Sequence, residues 1–213
     1  MSFNQKVVVM NVVQRAALML VMFSSLVLGA VAQANVSGPQ QVVEGVTQSL
    51  FADVKRLKAS EIDDATYLAR VKSTLEPVVN FPFIAAHVMG QQAYAKATAE
   101  QRQAFSSVFR DGLIGSYAKG ISGYANSDIK VVSVVADAKN PKRVTVAQEV
   151  SDNGAIHKLD YTMVQGKEGD WKVINVTLNG VNLGMSFSSQ FKSSMRKYGN
   201  DLDKVISNWL ADA

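Results

Sequence analysis

The side chains able to move a proton, hold a metal or attack a carbonyl are few in this 213-residue sequence, and they are scattered. It has two histidines, His87 and His157, and no cysteine. Without cysteine there is no thiol nucleophile and no thiolate metal site. His157 alternates onto the same face as Leu159 and Tyr161 in a stretch of strand periodicity, where it could pair with Tyr161 or Glu149 as acid and base. The competing reading is a partly buried structural histidine. His87 falls in a short helical pattern and suits a pocket, a cap or the surface. Asp63-Asp64 reads as a helix start rather than a carboxylate dyad. There is no His-x-x-x-His pair, no Gly-x-Ser-x-Gly and no glycine-rich phosphate loop. Metal-ligand spacing and cofactor fingerprints are missing too. The pattern favours a binding protein over a catalyst.

The elements that would shape a binding site are clearer. Thr98 to Tyr124 reads as one long amphipathic helix. Thr98 and Gln101 form a capping box. Phe105, Val108, Phe109, Leu113, Tyr117, Ile121 and Tyr124 recur at steps of three and four, the spacing of one helix face. At 1.5 Å per residue such a helix runs roughly 35–40 Å. Its broad apolar stripe must be covered, either as plain core or as one wall of a cavity. Further helices are expected over Gln40–Ala59, Asp64–Val78 and Pro82–Met89. Gly90 should stop the last of these, and a loop over Gln91–Ala97 should follow. After Tyr124 the period changes to two. Ile129–Val135, Arg143–Val150, Ile156–Val164 and Trp171–Leu178 read as four strands of an antiparallel meander, separated by short turns. Val144, Val146 and Val150 share one dry face, and Leu159, Tyr161 and Met163 share another. The fourth strand is apolar on both faces and is expected to be central or covered. Two helical patterns, Gly184–Tyr198 and Asn200–Ala211, close an α+β order.

The first 34 residues read as an address rather than as fold. Lys6 and Arg15 precede an uncharged apolar run, Ala16 to Val31, and Ala32-Gln33-Ala34 is a small-x-small cleavage site. This is the grammar of a secretory signal peptide. The alternative is an uncleaved anchor, since the run approaches spanning length, but Gly38 and Pro39 follow closely. The remaining chain, 35–213, suits one domain. Loss of Lys6 and Arg15 lowers the formal charge from +4 to +2, too little for strong attraction to nucleic acid. Export without disulfides leaves stability to core burial.

A resemblance becomes specific at Val78 to Gly90, VVNFPFIAAHVMG. It is similar to the Val-Asp-Phe-x-x-Ile-Ala-x-x-Val-Leu-Gly segment of the MlaC or toluene-tolerance auxiliary family. Thr98–Phe109 with Gly112-Leu113-Ile114 and Tyr117 resembles that family's long helix. Tyr161-Thr162-Met163, Trp171-Lys172-Val173 to Gly180-Val181, and Gln190-Phe191 with Gly199 and Leu202 resemble its last strands and C-terminal helices. Asn80 and Asn175 stand where an acid is common, Asn182 where serine is common, and Phe187-Ser188 where Tyr-Arg is common. The apolar positions agree better than the polar ones.

The resemblance implies a periplasmic phospholipid-binding protein. Its fold would be helices on a curved four-stranded antiparallel sheet, related to the NTF2-like folds, enclosing an apolar pocket. It implies a carrier that maintains outer-membrane lipid asymmetry. The implied partners are an inner-membrane ABC transporter with a hexameric ring protein and an outer-membrane lipoprotein–porin complex. Physics supports the need: each methylene exposed to water costs about 0.8 kcal/mol, so two chains of about sixteen carbons cost roughly 25 kcal/mol. The sheath should be near or beyond the upper end of roughly 300–1,000 Å3. The expected lining, between the long helix and the dry sheet face, is Phe105, Phe109, Leu113, Tyr117, Val146, Tyr161, Met163, Val173 and Val176. A regular strand would turn Val173 and Val176 to opposite faces. Two rivals stand beside the carrier. One is an isomerase or hydrolase in a cone-shaped pocket using His157 and Tyr161, and the other is a non-lipid adaptor of the envelope.

Overall fold

The computed structural model describes residues 38–212. The expected signal peptide, residues 1–34, lies outside them. Helix α1 (Pro39–Lys58) opens with proline where a missing N–H costs nothing, and closes on Lys55, Arg56 and Lys58 at its negative end. Helix α2 (Asp64–Leu75) is capped by Asp63, whose carboxylate accepts from the Thr66 amide at 2.7 Å. It ends ahead of Pro77 instead of running to Val78.

Helix α3 (Phe81–Lys96) departs from the expected helix and loop. Gly90 breaks it, not as a left-handed cap but in an extended positive-φ conformation, φ 74° and ψ 161°, that essentially only glycine adopts, and Gln91–Lys96 resumes as helix. Helix α4 (Ala99–Ile121) carries the expected capping box. The Gln101 amide donates to Thr98 Oγ1 at 3.2 Å, and the Thr98 amide to Gln101 Oε1 at 3.0 Å. A short 3₁₀ turn, Ser122–Tyr124, leads into the sheet.

Strands β1 (Asp128–Asp137), β2 (Asn140–Asp152), β3 (Ala155–Gln165), β4 (Trp171–Leu178) and β5 (Val181–Asn182) pair antiparallel in chain order. The sheet therefore has five strands where the sequence showed four, because β5 is two residues long and carries no periodicity. β4 is not central. Its outer edge is covered in part by β5, and in part by Val78–Asn80, where the Asn80 amide donates to Val173 O at 2.9 Å. Helices α5 (Leu183–Lys197) and α6 (Leu202–Asp212) finish the chain.

Long helix α4 belongs to two cores. Phe105 and Phe109 join Phe191 and Trp209 in one, with Phe105 edge-on to both at 5.1 Å. Ile114, Ala118 and Ile121 join Leu50, Val54, Tyr67 and Val71 in the other. A third core lies on the inner sheet face, where Val144, Val146, Met163 and Val173 meet Val43 of α1. Leu113 and Tyr117 of the same helix are only half-buried, because they face the space between these cores.

Candidate functional site: an apolar cavity

That space is a cavity of about 200 Å3. Its volume is below the expected sheath, since flanking helices and aromatic rings close in on it from several sides. The α4 wall supplies Phe109, Leu113 and Tyr117. The sheet supplies Leu159 and Tyr161 from β3 and Val173, Asn175, Val176 and Leu178 from β4. Val42, Val43, Val46 and Thr47 come from α1, and Phe81 and Ile84 from α3. Leu183, Gly184 and Phe187 of α5 complete it with Leu75, Val78 and Val79. None of these lining residues is charged. Leu178 is the one lining residue with substantial exposure, 37%, and marks where the cavity reaches the surface. Val181, paired with Leu178 across the ladder, is apolar as well and 55% exposed.

Six of the nine residues expected from sequence line this cavity: Phe109, Leu113, Tyr117, Tyr161, Val173 and Val176. Phe105, Val146 and Met163 lie outside the lining and are wholly buried, Phe105 in the aromatic core and the other two under α1. A β-bulge brings Val173 and Val176 to one side. Thr162 pairs with Asn175 but Met163 pairs with Val173, so Ile174 is an extra residue that resets the alternation. Phe187 was not expected at the site; it lines the cavity and meets Phe109 edge-on at 5.4 Å.

The few polar groups at the cavity are tied to one another. Tyr161 donates to Gln148 Oε1 at 3.0 Å, and Gln148 Nε2 donates to Thr47 Oγ1 at 2.9 Å. Tyr117 lies beside Tyr161 on the cavity wall. Burial pushes both phenols up, Tyr161 the more strongly because Tyr117 lies beside it. Neither phenol is poised as a base. Sequence reading missed Gln148, which is buried on the dry face opposite Leu159; its break in an alternation of valines was the available signal.

The three asparagines at unusual positions have one structural job. Asn80 accepts from the Phe83 amide at 3.1 Å and Asn182 from the Met185 amide at 3.0 Å, each capping a helix. Asn175 reaches across to accept from the Gly184 amide at 3.1 Å. A side-chain oxygen suffices for each bond, so no carboxylate is required there. His157 does not join the site. It pairs with Val150 across the sheet, meets the Tyr124 ring edge-on at 5.5 Å, and lies 3.4 Å from Asn179 Nδ2. Four residues along a strand place it about 13 Å from Tyr161. His87 stacks on Phe83 and bonds its carbonyl at 3.1 Å, away from the cavity. Among the described residues no group of acidic and histidine side chains could hold a metal, and no helix is long and apolar enough to cross a membrane.

Comparison with known proteins agrees with this geometry. The family model described as MlaC protein matches residues 44–211. The chain is 35% identical over 176 residues to "Toluene tolerance protein ttg2D" of Pseudomonas putida, covering 82% of this chain and 80% of that protein. It is 25% identical over 168 residues, 78% of each chain, to the "Intermembrane phospholipid transport system binding protein MlaC" of Haemophilus influenzae. The fold matches a phospholipid-binding protein of Ralstonia solanacearum, solved with a phospholipid, at a TM-score of 0.71 and 23% identity, covering 83% of this chain and 96% of that one. With a family model spanning nearly all of the described residues and a relative above a third identical, the chain belongs to the MlaC family.

Proposed function

We propose that this protein is a periplasmic phospholipid carrier, exported by a leader over residues 1–34 and folded as one lipid-binding domain over 35–213. The observation that carries this reading is the cavity itself: it is walled by apolar side chains, free of charge, and its few polar groups are already paired. Such a surface offers hydrocarbon a dry home and offers a polar substrate almost nothing. The exposed Leu178, with its ladder partner Val181, marks the end where the headgroup stays in water while the tails enter. At about 200 Å3 the cavity is smaller than typical ligand sites of roughly 300–1,000 Å3, so acyl tails enter by parting its walls. The names of the relatives support transport between membranes. We take the donors and acceptors of lipid to be an inner-membrane ABC transporter with its hexameric ring protein and an outer-membrane lipoprotein–porin complex. In that cycle the protein is not an enzyme, and it maintains outer-membrane lipid asymmetry.

The test is transfer of a labelled phospholipid between two vesicle populations. The protein should accelerate transfer, and Leu113→Arg, which puts a charge in the cavity wall, should abolish the acceleration in a variant that keeps its circular dichroism. Transfer unchanged by Leu113→Arg would refute the assignment of the cavity. Met163→Ala, outside the lining, should lower stability by about 2–5 kcal/mol through a core void while the folded fraction still transfers lipid.

A further inference from the structure

Helices α3 and α5 pack side by side and start from one strand. The Asn80 amide, just ahead of α3, donates to Val173 O, and the Gly184 amide, at the start of α5, donates to Asn175 Oδ1. Both helices wall the cavity, one through Phe81 and Ile84, the other through Leu183, Gly184 and Phe187. They share a second property that the cavity does not use. Helix α3 has 16 residues and α5 has 15, and neither contains an aspartate or glutamate, in a chain that has 18 of them. Their charged side chains are Lys96 in α3 and Lys192, Arg196 and Lys197 in α5, all cations. We propose that the outer face of these two helices docks on an anionic phospholipid bilayer, which sets the cavity alongside the membrane. The docking itself does not require the cavity to hold lipid.

The residue spacing fits such a surface. Met185, Ser189, Lys192 and Arg196 are exposed at steps of four, three and four, so they share one face of α5. That face runs from an apolar tip, Met185 at 69% exposure, to two cations roughly 11 and 16 Å further along the helix. On α3, Phe83 and Tyr94 are exposed near the two ends of the helix. Aromatic rings and long cationic stems suit the headgroup layer, which accepts an apolar body and a polar tip together.

The other flank of α3 adds a place for phosphate. A groove of about 370 Å3 lies there against α4, with Arg102, Ser106 and Arg110 one turn apart along it and Gln103 and Ser107 beside them. Arg110 is shared with Asp111 at 2.9 Å and Glu76 at 3.4 Å. Arg102 is held by a carbonyl and a ring instead of a carboxylate: it donates to Tyr94 O and lies over the Tyr94 ring. A guanidinium fixed in this way beside hydroxyls matches a lipid phosphate.

The single sign of the charge selects the partner. A protein surface carries both signs and is met by a complementary mixture. An anionic bilayer carries one sign over its whole area and attracts cations alone. An acid in α3 or α5 would face repulsion from that surface, and neither helix has one.

Flotation of the purified protein with vesicles tests the proposal. One set is phosphatidylcholine alone, and the other is phosphatidylcholine with phosphatidylglycerol. The protein should float with the second set, at least about tenfold more tightly than with the first, and should release as salt rises. The double variant Lys192→Glu with Arg196→Glu should weaken that binding at least about tenfold, since each basic side chain at such a surface contributes a factor of about five. Lys139→Glu with Lys167→Glu makes the same change in net charge on exposed turns of the sheet and should leave binding within about twofold. Met185→Trp should add an emission that shifts to the blue on the anionic vesicles. Leu113→Arg, which tests the carrier reading, leaves this face intact and should float as the native protein does. Equal binding to both vesicle sets, or none to either, would overturn the proposal. So would binding indifferent to the α5 reversals, binding lost equally with the reversals on the sheet, or binding that Leu113→Arg abolishes.

Discussion

Ile174 decides which way two of the cavity's side chains point. As the extra residue of a bulge, it lets Val173 and Val176 face the same space although they are three apart. Nothing in the run WKVINVTL announces that extra residue, so the strand was legible and its facing was not. The same limit applies to Phe105, Val146 and Met163. Periodicity places a residue on a buried face, but a filled core and a cavity wall share that face. The hydrogen-bonded chain from Tyr161 through Gln148 to Thr47 gives a prediction. Tyr161→Phe strands the buried Gln148 oxygen and should cost about 1–3 kcal/mol. Urea unfolding monitored by circular dichroism measures it. An unchanged stability would contradict the bond from Tyr161 to Gln148.

At the scale of elements, caps and helix ends were read well wherever the cause is local. The box at Thr98 and Gln101 and the cap at Asp63 involve residues three apart in sequence. The resumed helix after Gly90 was not legible, because its support comes from elsewhere. Arg102 of α4 donates to Tyr94 O at 2.9 Å and lies over the Tyr94 ring at 4.4 Å, fixing the last turn of α3. Helix α4 retains a glycine with no packing reason to be one. A methyl at Gly115 would meet no atom, so Gly115→Ala should raise stability by about 0.5–1 kcal/mol in chemical denaturation. Gly112 is its control, since a methyl there runs into the Leu210 side chain of α6 and the gain should shrink or vanish.

Hydrogen-bonded aspartates also set an acid limit. Hydrogen bonds from Thr66 hold Asp63, those from Arg110 and Lys72 hold Asp111, and those from Lys204 hold Asp201 below the usual 3.8. Their folded pKa values are lower than their unfolded ones, so the unfolded chain takes up protons first on acidification. Their stabilisation is thus complete above about pH 4 to 5 and lost as pH falls through the folded values. Acid titration of the unfolding midpoint should be flat through neutrality and drop below that range, and Asp111→Asn should flatten part of the drop.

For the whole molecule, the α+β order and the place of the cavity could be argued from sequence, but the size of the cavity could not. Volume depends on how α1, α5 and the sheet lean on one another, and no periodicity encodes that. Alkali probes the same packing. Burial pushes Tyr67 up to about 12, and it pushes Tyr117 and Tyr161 upward as well. Raised folded values mean that the unfolded chain loses these protons first, so their contribution is intact below pH 10 and fades as pH climbs toward the folded values. These three phenols should ionise together with unfolding, as a late step in ultraviolet absorbance, after the exposed tyrosines. Cargo should act in the opposite sense: lipid that binds only the folded form must raise its melting temperature.

Native mass spectrometry of the protein purified from the envelope in non-denaturing buffer tests the central claim most directly. The account predicts a folded species heavier than the polypeptide by one or more diacyl phospholipids, with the added mass absent from Leu113→Arg. A bare polypeptide mass that persists after incubation with phospholipid vesicles would contradict it.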